Sequence, residues 1–418
     1  MVLSIAGFHP HSFQAKVLIL GASFTFLLFL YLSAGSTFSS ILSSKSFAFE
    51  TKPGTCPPRA YANGKWTGPY YRTDAWIMTN KSQAMTFAGF EGCASSREFD
   101  WHLASDTERQ WNRFPDAQSF RWTVGKEDGC DGLLDFDKEQ MVQDLVDQGG
   151  WLLLGDSITE GHFFSLSCTL YPHVIATPKY KPNSWFDRAW YQDLYLNPES
   201  PLLRRLRIPP GFNITTTPLA TYRRIDLLFE RKDLEELHRK IHPTTRSDFS
   251  LFSEEETWSL SPNEYMPLFF NRGYSTLVIN TAGHWTTTLF GGYGPKEPAA
   301  FEGAKRGIDG VIDFFGHAMR LWADEVQGAL RDSANFDGGL RKRQVVIRAY
   351  LPGHDSCRWH RKPLARLPMR WPWNGIFSGR NNWAQIWKFN EVFEVGLLWR
   401  SFTTSCLMVN HTIHSGRT

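Results

Sequence analysis

Cys-x-x-Cys pairs are absent from this chain, although it has six cysteines, Cys56, Cys93, Cys130, Cys168, Cys357 and Cys406. That absence removes the usual spacing of a structural zinc centre, so no metal site is expected. An excess of one charge is missing too: a formal net charge of +3 over 418 residues is too small to recruit nucleic acid or an acidic polymer. Nor is the chain short of apolar residues, and at 42% hydrophobic it is expected to fold. Aromatic residues are plentiful instead. They make up 15% of the chain and include 17 tryptophans, enough to fill a core and leave indoles to line a sugar-binding groove. The length points to one large domain with an appended subdomain.

One uncharged apolar run, residues 17–34 (VLILGASFTFLLFLYLSA), extends about 27 Å as a helix and can just span a thin bilayer. It reads as a signal anchor behind a cytosolic tail, residues 1–16. Lys16 flanks its amino-terminal side, and Lys45 is the nearest lysine beyond it, which favours a lumenal body. The small residues Ser33, Ala34 and Gly35 keep a cleaved signal peptide as the competing reading. Residues 35–54, Ser-rich at their start, read as a flexible stem. In an oxidising lumen the cysteines become disulfides, and the Asn-x-Ser/Thr sequons at Asn80, Asn213 and Asn410 fit the same compartment.

Residues 55–136 are rich in Gly, Trp, Tyr and Cys and poor in helical periodicity, as in a disulfide-tied, loop-rich subdomain. The main domain is placed at 137–394. A helix over residues 137–147 carries Met141, Val142, Leu145 and Val146 on one stripe and leads into an apolar strand, Trp151 to Leu154. The strand ends in Gly155-Asp156-Ser157, and a helix is expected over residues 161–170. Residues 227–241 read as a charged amphipathic helix on the outer face. Further strands over residues 274–279 and 344–349 end in Asn280-Thr281-Ala282-Gly283-His284-Trp285 and Tyr350-Leu351-Pro352-Gly353-His354, with a helix over 310–330 between them. The alternation predicts an α/β fold, a parallel sheet covered by helices on both faces, whose strands deliver polar residues to one rim.

Ser157 at that rim is the candidate nucleophile, able to carry an acyl group as a covalent intermediate. Donors for the oxyanion are sought in its own N–H, a nearby glycine N–H and the Asn280 amide. Asn280 equally suits a turn, and His284 and His354 suit either substrate binding or buried structural roles.

These blocks resemble a family, the PC-esterase group of plant trichome-birefringence-like proteins and their fungal relatives. The resemblance starts at Cys56, Tyr61, Gly64 and Trp66 and continues through Arg121-Trp122 and Cys130 with Leu134, Phe136 and Asp137. It then takes in Gly155-Asp156-Ser157, Cys168, the Asn280 to Trp285 block, and Arg348 with Pro352 and His354. It implies an SGNH/GDSL-like fold and a Golgi polysaccharide O-acetyltransferase with Ser157 as nucleophile. Gly155, Asp156, Asn280, Gly283, His284, Trp285, Arg348 and His354 would form the oxyanion and substrate site. The acetyl donor would be a co-substrate, the acceptor a polysaccharide, and no cofactor would be bound.

The same family carries a late Asp-x-x-His whose histidine is the base, and no Asp-x-x-His occurs in this chain. Glu235 with His238 is the nearest substitute and is expected at the surface. The tail, residues 395–418, does not resemble the family. It leaves a truncated or intron-derived end and a replacement base at His411 or His414 as the two explanations. A non-catalytic carbohydrate-binding relative and a secreted acetyl esterase stand as alternatives to the transferase.

Overall fold

The computed structural model describes Cys56, residues 64–68, 78–97, 111, 120–130, 136–179, 191–294, 303–336, 342–350, 385–398 and 406–409, all within the unit Gly54–Thr418. The apolar run at 17–34, the stem, His354, Cys357 and Asn410 lie outside these residues. Among the described residues no helix is long and apolar enough to cross a membrane.

Lys65–Thr67 (β1) pairs antiparallel with Arg121–Thr123 (β2). Lys81–Ala88 (α1) lies between them in sequence, opened by Asn80, whose side chain accepts the Gln83 N–H. Disulfides, expected of these cysteines, join Cys56 to Cys130 and Cys93 to Cys168. The sequon asparagines Asn80 and Asn213 are both exposed.

Lys138–Gln148 (α2) starts at Asp137, which caps the Glu139 and Gln140 N–H groups, and buries Val142, Leu145 and Val146 of the expected stripe. It leads into Trp151–Gly155 (β3) and Ser157–Thr169 (α3). The helix begins at Ser157 itself rather than at Gly161, because Asp156 caps it by accepting the Ile158 N–H. Val174–Thr177 (β4), Gln192–Leu196 (β5) and Ala220–Arg224 (β6) follow, then Arg231–Ile241 (α4) and Pro262–Asn271 (α5). The chain continues through Thr276–Ile279 (β7), Gly307–Phe336 (α6), Gln344–Arg348 (β8), Ile386–Leu398 (α7) and Cys406–Val409 (β9).

The main sheet has the order β4-β5-β6-β3-β7-β8-β9 and is mixed, which corrects the expectation of a wholly parallel one. Strands β6, β3, β7, β8 and β9 are parallel, while β4–β5 and β5–β6 pair antiparallel. The antiparallel flank escaped notice because its strands, Gln-Asp-Leu-Tyr-Leu and Ala-Thr-Tyr-Arg-Arg, carry buried polar side chains that satisfy one another. Thr221 Oγ1 donates to Asp193, and the Arg272 guanidinium lies 3.0 Å from the same carboxylate. The tail supplies β9.

Alternation along the strands divides the core between the two faces. Leu152, Leu154, Leu277, Ile279, Val345 and Ile347 pack with residues of α4, α5, α6 and α7. Leu153, Val278 and Val346 face the other way, toward α2 and α3. Leu152, Leu153 and Leu154 are all fully buried, and each such side chain contributes about 1.5–3 kcal/mol. Counted along the chain, the parallel strands run 2-1-3-4-5. The order reverses between β3 and β7, and a crevice opens at such a point beyond the strands' carboxyl ends.

Candidate active site

Ser157 stands at that crevice, as the first residue of α3 directly after β3. It is exposed, and no described side chain hydrogen-bonds its Oγ. The turn beneath it is held from several sides. Tyr222 donates its hydroxyl to the Gly155 and Asp156 carbonyls at 3.2 and 3.0 Å, and the Ile225 N–H also bonds the Gly155 carbonyl. A Cβ on Gly155 would lie 2.7 Å from the Asn280 carbonyl and would also strike Thr159 Oγ1. Only glycine lets β3 and β7 deliver their ends this close. The Ser157 N–H, at the first turn of the helix, is available to an incoming oxyanion, and the positive end of the helix dipole favours charge there.

Asp156 is 2% exposed. Its Oδ1 accepts the Ile158 N–H and its Oδ2 accepts the Tyr350 hydroxyl. Burial raises its pKa, against the pull of the Tyr350 hydroxyl, His284 and the Ile158 N–H. Burial, then the Asp156 charge, holds the Tyr350 phenol far above the ordinary value. Gly283 makes room for that phenol, since a Cβ there would collide with the Tyr350 hydroxyl.

From β7, Asn280 is buried and turned toward β8. Its Nδ2 donates to the Arg348 carbonyl at 2.8 Å, and its Oδ1 lies 3.4 Å from Arg348 Nη2. One of its N–H groups is therefore spent on joining the strand ends. Arg348 also reaches Thr159 Oγ1 at 3.3 Å, and burial lowers its pKa against the opposing charge of Asp156. Trp285 lies in the core beneath the rim, not in the groove, with its indole stacked on Phe290 at 4.7 Å and its N–H on Thr281 Oγ1.

His284 is the one half-buried member of this otherwise buried block. Its side chain is 32% exposed, with Nε2 3.4 Å from Asp226 Oδ1 and 3.9 Å from Asp156 Oδ2. Asp226 follows β6 and is 1% exposed. Arg224 Nε donates to its Oδ1 at 3.1 Å and the Trp258 N–H to its Oδ2 at 3.2 Å, while the Arg224 guanidinium lies on the Trp258 ring. Sequence reasoning missed Asp226. The available signal was an acid set directly before Leu227-Leu228-Phe229, where an apolar run implies that the charge is buried beside a partner.

The structure thus brings Gly155, Asp156, Ser157, Asn280, Gly283, His284 and Arg348 to one rim, puts Trp285 below it, and leaves His354 outside the described residues. Glu235 is exposed, but His238 is buried against Phe249, which corrects its expected place at the surface. A groove of about 890 Å³ opens elsewhere, between α4, α5 and α6, and includes none of the rim residues. Among the described residues no group of three or more His, Cys, Asp or Glu side chains is placed to hold a metal ion. Compared with known proteins, the chain matches no family model and no curated protein.

Proposed function

We propose that this chain is a polysaccharide O-acetyltransferase that carries the acetyl group on Ser157. The observation behind the reading is an exposed, unpartnered serine hydroxyl on the first turn of a helix, at the switch point of a doubly wound sheet, beside a buried aspartate and a half-buried histidine. Attack by Oγ on an acetyl ester or thioester forms the acyl-enzyme, and a sugar hydroxyl then removes the group. The strand order of the parallel part and the Gly-Asp-Ser turn support an SGNH/GDSL-like assignment. The apolar run at 17–34 supports a single membrane anchor with a lumenal domain, in the Golgi.

The missing Asp-x-x-His favours a second reading, a carbohydrate-binding relative that keeps the groove without the chemistry. Mass spectrometry of the protein after exposure to p-nitrophenyl acetate separates the two. The transferase reading expects one acetyl group on Ser157, absent from Ser157→Ala. Equal, unspecific labelling of both proteins would end it. Acetate release with no acceptor present would identify an esterase within the same chemistry.

A further inference from the structure

We propose that His284, oriented by the buried carboxylate of Asp226, is the general base for Ser157 and replaces the histidine of the missing Asp-x-x-His. The inference rests on the acyl-serine reading above and assigns the group that this reading lacks.

The pair comes from the two strands that flank β3. Asp226 leaves β6 and His284 follows β7, while β3, with Asp156 and Ser157 at its end, runs between them. Both oxygens of Asp226 are fixed, Oδ1 by Arg224 Nε and Oδ2 by the Trp258 N–H, so the carboxylate presents one defined face to the imidazole. The backbone carrying His284 is fixed as well. Thr281 Oγ1 donates to the Asp226 carbonyl at 3.1 Å and accepts the Trp285 indole N–H at 3.2 Å. Residues on both sides of His284 are therefore tied, through one hydroxyl, to the residue that faces its ring.

The charges suit a base. His284 Nε2 lies 3.4 Å from Asp226 Oδ1 and 3.9 Å from Asp156 Oδ2, so an imidazolium formed during reaction meets negative charge on the side away from solvent. With Nε2 toward the carboxylates, Nδ1 is the nitrogen that the proposal assigns to the serine. A ring placed only to fill space would not set one nitrogen between two buried acids while leaving a third of its side chain exposed.

The proton balance is simple. Ser157 Oγ bonds to the acetyl carbon of an ester or thioester donor as its proton passes to His284. The bond to the donor's oxygen or sulfur then breaks, and the leaving group takes that proton. A sugar hydroxyl gives its proton to His284 as it attacks, the bond from acetyl carbon to Ser157 Oγ breaks, and the proton returns to the serine.

The test follows acetylation of Ser157 by p-nitrophenyl acetate in the full chain. His284→Ala and Asp226→Asn are each expected to slow it at least about 100-fold. Free imidazole should restore part of the His284→Ala rate and none of the Ser157→Ala rate, a readout that a structural role would not move. Wild-type speed in His284→Ala, or no rescue by imidazole, overturns the assignment while the acyl-serine reading stands on the silence of Ser157→Ala. Failure of the wild type to acetylate at Ser157 removes both. Should the variants fail to fold, diethylpyrocarbonate treatment of the wild type with peptide mapping decides: acetylation must stop as His284 is modified, and acetylation that continues refutes the base.

Discussion

Gly155 and Gly161 lie six residues apart around the same serine and have opposite dependence on their missing side chain. A methyl group at Gly155 would strike the Asn280 carbonyl and Thr159, both buried and fixed, whereas one at Gly161 in the middle of α3 would meet nothing within 4 Å. Gly155→Ala should cost about 1–3 kcal/mol, since strand ends would have to part. Gly161→Ala should stabilise the helix by about 0.5–1 kcal/mol. Urea midpoints measure both, and a stabilised Gly155→Ala would refute the close approach. The contrast bears on what was readable. Gly-Asp-Ser could be recognised as a unit, but which glycine mattered sterically depends on Asn280, over a hundred residues away. Asp226 was hidden for a related reason. Its surroundings are made by Arg224, Trp258 and His284, and no local spacing records that meeting.

At the scale of elements, helix α4 shows how a charged sequence conceals an inner face. Leu234, Leu237 and His238 are buried while Glu235 and Arg239 face outward. His238 stacks on Phe249 at 4.8 Å, meets His242 edge-on at 4.9 Å, and has no hydrogen-bond partner for Nε2. Burial, reinforced by His242, lowers its pKa to about 4. The unfolded chain takes up this proton near pH 6.5, so the stability gained from the neutral ring is complete above that pH and is lost as the pH falls toward about 4. The expected loss is about 3 kcal/mol. Burial shifts His242 and His317 in the same direction, while Asp313 opposes it in both. Urea unfolding at pH 7.5 and 4.5 should show this slope in the wild type and a shallower one in His238→Phe; equal slopes would exclude His238 as its source. The strands were legible where they are apolar, as in β3, β7 and β8. They were illegible in β5 and β6, where polar side chains are buried in pairs, and the period of α4 was visible without the identity of its partners on α6.

Across the whole molecule, the turns that carry Asp226, Ser157 and His284 come from β6, β3 and β7, three consecutive strands inside the sheet, while the outermost strands are β4 and β9. Their joints are backbone bonds: the Asn280 N–H donates to the Leu154 carbonyl and the Ile225 N–H to the Gly155 carbonyl, both at 3.0 Å. Local opening begins at exposed edges and spreads inward last to such central pairs. On the acyl-serine proposal, heating should therefore abolish Ser157 acetylation and tryptophan burial together, as one transition followed by residual labelling rate and by fluorescence. A labelling loss several degrees below the fluorescence change would mean that the rim opens independently of the sheet. If the transitions coincide, the lifetime of the rim and the lifetime of the fold are the same quantity, and a substitution that slows unfolding anywhere in the central sheet preserves the rim without touching it.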